Sequence, residues 1–289
     1  MTETDLRERQ VNRLLRGLRT AFYRALEPFD MAFRRMNRLS GYPPIALRRH
    51  VGHLGTLDGT GAEFAAYLKL IAGLKPSDSI LDLGCGCGLL ELGLLKSGWQ
   101  GKLLGVDIHR PSIRWCQKHI TPGVPSFTFE HADICNEAYW PHGRLTAQQY
   151  FDTLAGRKFD VVVAKSLFTH MLPGETEVYL KSMSGLLKPA GRIFMTFFLM
   201  NDEYRRQEKT GRPSIRFVRQ PADAAYAVKR TDAPTASVAY EEGHIMKLMA
   251  SAGLHRQAVH YGFWAGNEGG LSYQDILLAT GGAGSADVH

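Results

Sequence analysis

Apolar residues recur every three or four positions at the start of the chain. The apolar stripe consists of Val11, Leu14, Leu15, Leu18, Phe22 and Leu26, and the arginines that lie largely off it are Arg13, Arg16, Arg19 and Arg24. This period predicts an amphipathic helix over residues 6–27. We expect Pro28 to break it, because proline lacks the amide donor that a helix interior needs. A second short helix is expected to run through Met36 and to end at Gly41-Tyr42-Pro43-Pro44, so that residues 1–55 form an N-terminal helical arm.

From Thr60 onward, apolar runs of strand length alternate with segments of helical period. The predicted strands are Ser79 to Leu83, Lys102 to Asp107, Phe127 to Glu130, Phe159 to Ala164, Gly191 to Phe198, Gln257 to Trp264 and Gln274 to Thr280. The predicted helices are Gly61 to Ala72, Leu89 to Ser97, Pro111 to Ile120, Glu175 to Leu187 and Glu242 to Ala252. This alternation specifies an α/β fold with a mostly parallel sheet covered on both faces. The last two strands flank a short glycine-rich turn at Gly266 to Gly270, which predicts an antiparallel hairpin at the sheet edge.

Two connections are longer than this arrangement requires, namely residues 135–158 and 200–241. Long connections in compact domains often form lids or binding segments. We therefore predict both as lid or substrate-binding insertions in one domain that spans residues 56–281. The small, polar tail at residues 282–289 is predicted to be disordered.

Positive charge is concentrated in the arm. Residues 1–53 hold eleven arginines, no lysine and five acidic residues, which gives +6 of the chain's net charge of +7. This distribution argues against a general nucleic-acid-binding domain and for a local basic segment. The favoured expectation is that the arm docks on its own domain or on a second subunit, and binding to an anionic lipid surface is the alternative.

The cysteines bear on both location and metal binding. Four of them, without a regular framework and without a charged-then-apolar leader, predict a reducing compartment and a cytoplasmic protein. No apolar stretch approaches the ~18–20 residues of a membrane span. Cys85 and Cys87 have no matching pair elsewhere, which argues against zinc. We expect these two to be small side chains under a tight turn, and Cys116 and Cys135 to be core thiols.

The segment Gly84-Cys85-Gly86-Cys87-Gly88 joins a predicted strand directly to a predicted helix. Glycines placed here let main chain approach a ligand closely. The spacing is GxGxG, since Leu89 stands where the dinucleotide fingerprint needs its third glycine, and this counts against NAD. Asp107 ends the next strand about twenty residues on, where a carboxylate can accept hydrogen bonds from two ribose hydroxyls. The pattern predicts a site for an adenosine-containing ligand.

Five segments, taken in order, resemble the motifs of the class I S-adenosylmethionine-dependent methyltransferases. They are "LDLGCGCG" at Leu81 to Gly88, "GVDIHRPSI" at Gly105 to Ile113, "FEHADI" at Phe129 to Ile134, "FDVVVAKSLFTHM" at Phe159 to Met171 and "LLKPAGRIFMTFF" at Leu186 to Phe198. The resemblance covers roughly residues 60–280. It implies a seven-stranded, mostly parallel, doubly wound sheet with an antiparallel last strand. It also implies S-adenosyl-L-methionine as cofactor and S-adenosyl-L-homocysteine as product.

The resemblance also implies which residues hold the cofactor. The methionine part would be held by Asp82 and the backbone at Gly84, Cys85, Gly86 and Gly88. Asp107 would hold the ribose and Ile108 would pack beside the adenine. Asp133 would accept from the adenine amino group, with a backbone contact from Ala132 or Ile134. Lys165 and Ser166 would face the cofactor from the substrate side. The alternative is structural, with Asp82 capping a turn and Asp133 capping a helix.

His170 follows the predicted strand Phe159 to Ala164, at the sheet edge where ligands lie in such folds. Methyl transfer from a sulfonium needs positioning and deprotonation of the acceptor, because the leaving sulfur departs neutral. A hydroxyl acceptor benefits from a general base, and histidine suits that role near neutral pH. His170 is therefore the candidate catalytic residue, and a histidine that only frames the pocket is the alternative. We expect no metal.

The acceptor is less constrained. Ala164-Lys165-Ser166-Leu167 differs from the Asn/Asp-Pro-Pro-aromatic cluster of base methyltransferases, which argues against nucleic acid. The second insertion contains several arginines, which either bind an anionic acceptor or form a solvated face. They are Arg205, Arg206, Arg212, Arg216 and Arg219. The aromatic residues that could stack on a ring or belong to the core are Tyr139, Trp140, Tyr261, Phe263 and Trp264. We predict methylation of a hydroxyl on a small-molecule or glycan-type acceptor. The alternatives are N-methylation of a small amine or amino sugar, and a methyltransferase-fold binding protein without turnover.

Overall fold

The computed structural model describes residues 21–23, 25–48, 59–137, 139–219 and 225–282, which form two β-sheets and flanking helices. The strands are β1 (Ser79–Leu83), β2 (Lys102–Asp107), β3 (Phe127–His131), β4 (Phe159–Ala164), β5 (Leu187–Phe197), β6 (Leu199–Met200), β7 (Val218–Arg219), β8 (Tyr226–Val228), β9 (Val238–Glu241), β10 (Leu254–His260) and β11 (Asp275–Gly281). The helices are α1 (residues 25–36), α2 (Ile45–Arg48), α3 (Gly59–Leu70), α4 (Leu89–Lys96), α5 (Arg110–His119), α6 (Ala147–Thr153), α7 (Pro173–Gly185), α8 (Asp202–Thr210) and α9 (Glu242–Ser251).

The larger sheet has seven strands in the order β10-β11-β5-β4-β1-β2-β3. Strands β1 to β5 run parallel, and β11 is antiparallel to both of its neighbours, β5 and β10. This confirms the predicted fold class. The strand order reverses between β1 and β4, and in open α/β sheets ligands bind outside the carboxyl ends of the strands at such a point.

Alternate residues of the central strands pack on opposite faces of this sheet. Leu81 and Val162 belong to one core, together with side chains of α6, α7 and α9. Ile80 and Val161 belong to the other, together with side chains of α3, α4 and α5. Because both faces are covered, these strands read as nearly continuous apolar runs. Their bounds could therefore be predicted from sequence.

The smaller sheet lies within the predicted insertion 200–241 and has the strand order β6-β9-β8-β7. It carries a separate core that includes Phe198, Tyr204, Phe217 and Trp264. Strands of two to four residues are too short for periodicity to reveal. The sequence predicts this insertion as a lid or substrate-binding segment but does not predict its strands, the first of which begins at Leu199.

Asp275 ties the two sheets together from the first position of β11. Its carboxylate accepts hydrogen bonds from the amides of Leu199, at 2.7 Å, and Gly262, at 2.7 Å, and from Nε1 of Trp264, at 2.8 Å. The residue is 1% exposed, and burial raises its pKa to about 7 against the opposing effect of the three donors. Sequence analysis did not single out this residue.

The final pair of strands departs from its prediction in one respect. β10 and β11 are antiparallel as expected. The connection between them is not a short turn, because it spans residues 261–274 and includes a 3₁₀ turn at Phe263–Ala265. Trp264, predicted as the end of a strand, is fully buried in this turn and bonded to Asp275, and it belongs to the core of the smaller sheet.

The predicted break at Pro28 is wrong, because residues 25–36 are helical through it. Proline costs this helix one backbone hydrogen bond, while Asp30 and Arg34, one turn apart, bind each other and the following segment. That segment contacts the start of α4 and the loop before it through Tyr42, which packs with Cys87 and Leu89. Residues 1–20, 24 and 49–55 of the predicted arm and residues 283–289 of the predicted tail lie outside the described residues. No helix in the described ranges has the length and apolar character to cross a bilayer.

Candidate active site

The glycine segment forms a tight loop between the carboxyl end of β1 and α4. Gly84, Gly86 and Gly88 have φ angles of 79°, 57° and 81°, in the left-handed region that glycine tolerates best. The amide of Gly84 donates to the carbonyl of Val106 at 2.8 Å, which fastens the loop to β2. A Cβ on Gly88 would lie 2.6 Å from Cδ1 of Ile120. The loop therefore needs glycine for both conformation and space, and it leads directly into a helix N-terminus, where backbone amides favour negative charge.

Cys85 and Cys87 are buried under this loop, as predicted. Burial raises the pKa of Cys87 to about 12. Cys116 is also buried, but Cys135 is exposed, so its prediction as a core thiol is wrong. The chain leaves β3 for the surface before Cys135. No three His, Cys, Asp or Glu side chains of the described ranges are grouped in a way that could hold a metal ion.

Asp107 joins the end of β2 to the glycine loop. Its Oδ2 accepts from the amide of Gly86 at 2.8 Å and its Oδ1 accepts from the amide of His109 at 2.6 Å. Burial raises the pKa of this carboxyl, and the two amide donors oppose that rise. Each carboxylate oxygen has two acceptor sites, so both retain capacity for a ligand. Ile108, the next residue, is partly buried against the core.

Two further acids, Asp82 on β1 and Glu91 on α4, are buried behind the loop. Asp82 is 3% exposed and Glu91 is 0% exposed. Oδ1 of Asp82 and both carboxyl oxygens of Glu91 are buried without a hydrogen-bond partner among the described residues. Burial raises the pKa of Asp82 to about 7, and burial followed by the charge of Asp82 raises the pKa of Glu91 well above its ordinary value. Sequence analysis identified Asp82 but missed Glu91, whose only signal was an acid amid apolar residues of a helix.

Lys165 lies at the carboxyl end of β4, beside these acids. Its Nζ is 4.8 Å from the centroid of the Phe64 ring, which is the geometry of a cation–π contact. Burial lowers the pKa of Lys165, and the charges of Asp82 and Glu63 oppose that change. Ser166 follows with φ of 54°, unusual for a residue other than glycine. Its hydroxyl lies 3.0 Å from Oε1 of Gln274.

Asp133 is bound within the chain through both carboxylate oxygens. Nε1 of Trp140 donates to Oδ1 at 2.9 Å, and Nε of Arg144 donates to Oδ2 at 2.6 Å. The bond from Arg144 is the largest cause of a lowered pKa at Asp133. The next residue, Ile134, is buried and forms a bridge with Leu145. The insertion 135–158 thus folds back on the predicted adenine end of the site.

His170 ends a 3₁₀ turn, Phe168–His170, that follows β4. Its Nδ1 is 3.0 Å from the carbonyl oxygen of Thr235. A carbonyl only accepts, so Nδ1 carries the proton and a neutral ring holds its lone pair on Nε2. The Tyr139 hydroxyl lies 3.3 Å from the same nitrogen. Burial lowers the pKa of His170, and the backbone hydrogen bond to Thr235 opposes that change.

Tyr139 and Trp140 link the two ends of the site. Tyr139 contacts His170, while the adjacent Trp140 holds Asp133 and packs edge-on against His131, with ring centroids 5.2 Å apart. The loops after β1, β2, β3 and β4 thereby bring most predicted residues to one edge of the sheet. Arg144 and Thr235 were missed, because each comes from an insertion whose fold is set by tertiary contacts.

The insertion arginines are largely neutralised within the chain. The pairs are Arg205 with Asp202 and Glu241, Arg206 with Glu203, Arg212 with Glu268, and Arg219 with Glu241 and Glu208. These contacts favour the solvated-face alternative. An open cavity of about 620 Å³ lies here, lined by Arg205, Glu241, His244 and Lys247 among others. None of its lining residues belongs to the site around the glycine loop.

Comparisons with known proteins agree with this geometry. Residues 80–191 match the sequence model of a family described as "Methyltransferase domain". The chain is 27% identical over 138 residues to a malonyl-[acyl-carrier protein] O-methyltransferase of Halalkalibacterium halodurans, over 45% of this chain and 45% of that protein. It is 28% identical over 149 residues to a ribosomal protein L11 methyltransferase of Methylobacillus flagellatus, over 50% of this chain and 42% of that protein. The chain thus spans less than half the length of either relative.

Among solved structures, the chain is similar to the CcbJ methyltransferase of Streptomyces caelestis. The TM-score is 0.50 at 14% sequence identity, and the match covers 77% of this chain and 90% of the other. At this identity the likeness concerns the fold alone.

Proposed function

The chain belongs to the class I S-adenosylmethionine-dependent methyltransferases, and from this premise we propose that it methylates a hydroxyl oxygen of a small-molecule or glycan-type acceptor. The observation that carries the hydroxyl assignment is the state of His170. A half-buried imidazole with Nδ1–H fixed on Thr235 and a lowered pKa is suited to accept a proton at Nε2. An amine acceptor makes no comparable demand on a base.

The residues behind the glycine loop fit S-adenosylmethionine. Oδ1 of Asp82 is buried beside the carboxyl of Glu91 and accepts from no N–H donor in the described part of the chain, so it suits a charged donor of the cofactor. We assign the methionine part of the cofactor to Asp82 and the backbone of Gly84, Cys85, Gly86 and Gly88. Asp107 is assigned to the ribose. The assignments at the adenine are Ile108, Asp133 and the backbone of Ile134, and Lys165 is assigned to the substrate side.

When bound, S-adenosylmethionine supplies an electrophilic methyl group on a sulfonium, and its sulfur leaves with the electron pair of the broken C–S bond. His170 acts on the acceptor side: Nε2 takes the hydroxyl proton as the acceptor oxygen bonds to the methyl carbon. Thr235 holds the imidazole in the required tautomer throughout. General-base catalysis of this kind contributes roughly 10²–10⁴-fold to rate.

Cofactor binding is tested by calorimetric titration of S-adenosylmethionine, S-adenosylhomocysteine and NAD into wild type, Asp107→Ala and Asp152→Ala. Asp152 is an exposed acid on α6 and serves as the matched control. We expect wild type and Asp152→Ala to bind both sulfur nucleotides but not NAD, and Asp107→Ala to lose the binding. Wild-type protein that binds neither sulfur nucleotide contradicts the assignment and favours a binding protein without turnover.

The acceptor class is tested by a screen with methyl-labelled cofactor on hydroxyl and amine compounds. His170→Asn keeps an N–H donor for Thr235 but has no basic nitrogen, and His142→Asn, at an exposed histidine, is its control. We expect His170→Asn to lower the rate on a hydroxyl acceptor by about 10²-fold or more, with His142→Asn like wild type. Turnover confined to amines, or undiminished by His170→Asn, rules out the proposed hydroxyl chemistry.

A further inference from the structure

Helix α1 turns its polar side toward the protein. Asp30 and Arg34 are 9% and 8% exposed, respectively. Nε of Arg34 donates to Asp30 at 2.8 Å, and its NH1 donates to the carbonyl of Tyr42 at 2.8 Å. Asp30 also forms an ion pair with Arg48 of α2. These charged contacts, rather than apolar packing, attach the helix to the segment that follows it.

The opposite side of the helical segment is apolar and faces outward. Phe22, Phe29, Phe33 and Met36 are 60%, 74%, 53% and 84% exposed. Their spacing of seven, four and three residues places them on one side of a helix; we call this set the outer face. A surface helix of a globular protein normally buries such a stripe. Since these side chains are exposed in the described part of the chain, the stripe is available to a binding partner.

We propose that the outer face docks on the surface of an anionic lipid bilayer. Arg35 and Arg38 are exposed on the same segment, and residues 1–53 carry eleven arginines against five acidic residues. Aromatic residues on one face and arginines around it are typical of helices that lie in the membrane interface. The predicted stripe at Val11, Leu14, Leu15 and Leu18 has the same phase as the outer face, so the sequence continues the pattern toward the N-terminus.

Charge and area argue against a second copy of the chain as the occupant. A symmetric contact through the outer face would bring two arms of charge +6 together, and like charges across an interface are unfavourable. The four exposed side chains offer on the order of 500 Å² of apolar surface, short of the about 800 Å² per partner that a stable interface buries. An anionic bilayer needs no such area and complements the charge.

The outer face and the contact with the glycine loop use different residues, so docking on a membrane would leave that contact in place. The segment after α1 reaches that loop through Tyr42, which is 6% exposed and packs with Cys87 and Leu89. Nζ of Lys96 on α4 lies 4.8 Å from the Tyr42 ring centroid. The helix is thus anchored to the catalytic domain by residues that do not belong to the outer face.

Vesicle co-sedimentation of the full chain tests the proposal. The vesicles are phosphatidylcholine alone, or equal parts phosphatidylcholine and phosphatidylglycerol. The variants are Phe29→Ser/Phe33→Ser on the outer face and Met31→Ser as control, because Met31 is 61% exposed on the same helix but lies off that face. Circular dichroism and S-adenosylhomocysteine titration verify that each variant is folded.

We expect wild type and Met31→Ser to sediment with the anionic vesicles only. The double variant should bind these vesicles at least about tenfold more weakly than wild type. Added salt should weaken wild-type binding, since part of the attraction is electrostatic. The proposal is overturned if wild type stays in the supernatant, or if the double variant binds as well as wild type. It is also overturned if light scattering shows a wild-type dimer that Phe29→Ser/Phe33→Ser separates, which would identify a second copy as the occupant.

Discussion

Glu91 places a carboxyl group inside the protein at a position where the helix pattern calls only for an apolar residue. It is fully buried beside Asp82, and both of its oxygens lack hydrogen-bond partners in the described ranges. Isolated buried carboxylates are costly, so such groups keep their protons or find a cation. Lys165 is the nearby cation, and burial lowers its own pKa. These three side chains make the back of the cofactor site dependent on pH.

Replacement of Glu91 by Gln should stabilise the protein increasingly as pH rises. The pKa of Glu91 in the folded protein lies well above 4.5. Above pH 4.5 the unfolded chain therefore loses this proton while the folded chain keeps it, and the free energy of unfolding of wild type falls. The variant has no such proton. We expect its advantage over wild type to grow by roughly 1–3 kcal/mol between pH 5 and pH 8. Urea unfolding at both pH values measures this, with the exposed Glu177→Gln on α7 as control; a difference independent of pH would contradict it.

His170 should titrate below the ordinary histidine pKa of 6.5, because burial disfavours the imidazolium. The neutral, proton-accepting form then persists to lower pH than for an exposed histidine. NMR titration of the imidazole signals measures this without any acceptor, and His170→Asn assigns the resonance. A measured His170 pKa at or above 6.5 would show that burial does not control its charge.

At the scale of elements, the strand–loop–helix unit from β1 to α4 depends on glycine conformation and on space. Gly88 combines a φ of 81° with a close neighbour, because a Cβ there would meet Ile120. Gly98, after α4, has a φ of 76° and nothing within 4 Å of an added Cβ. The two positions therefore separate the cost of conformation from the cost of contact.

Gly98→Ala should cost about 1 kcal/mol of stability from the left-handed backbone alone. Gly88→Ala should cost that amount plus a further ~1–3 kcal/mol from overpacking, and should weaken S-adenosylhomocysteine binding. Urea unfolding and calorimetry of both variants measure these effects. Equal losses at the two positions would mean that the contact with Ile120 relaxes without cost.

Elements with a strong pattern could be predicted from sequence. The bounds predicted for β1, β2 and β4 are those observed, because each is a buried run bordered by glycine or charged residues. The four strands of the smaller sheet were not predicted, since two to four residues contain too little pattern. The break predicted at Pro28 is wrong because the local penalty is opposed by an ion pair within α1 and by the ion pair of Asp30 with Arg48 of α2, which is a tertiary contact.

At the scale of the whole molecule, two sheets meet at one buried carboxylate. Asp275 accepts from groups on β6, on the connection 261–274 and on the Trp264 ring. The smaller sheet also supplies Tyr240, whose hydroxyl donates to the carbonyl of Met171 at 2.7 Å, beside His170. The catalytic candidate is therefore positioned by both sheets. Site residues carried by sequence motifs could be predicted, whereas Thr235 and Tyr240 could not, because only the folded insertion brings Thr235 to His170 and Tyr240 to Met171.

Asp275→Asn should loosen the smaller sheet more than the larger one. An amide has a single acceptor oxygen and presents N–H donors to groups that donate themselves, so we expect a loss of roughly 2–4 kcal/mol. Limited proteolysis should cut faster within residues 199–241, with Asp232→Asn, an exposed acid of the same insertion, as control. Unchanged cleavage would show that apolar packing alone joins the sheets.

The contact between Tyr42 and Cys87 gives the molecule a built-in chemical reporter. Cys87 is fully buried in a cluster with Tyr42 and Leu89, and its pKa of about 12 leaves almost no thiolate at neutral pH. If Tyr42 leaves this contact, solvent reaches the thiol, so the rate at which an alkylating reagent modifies Cys87 would report how often the N-terminal segment detaches from the glycine loop. Exposed Cys135 lies outside this cluster and provides a reference thiol in the same chain. Alkylation of Cys87 can therefore test for such detachment on vesicles, with cofactor or without it, and it needs no attached probe.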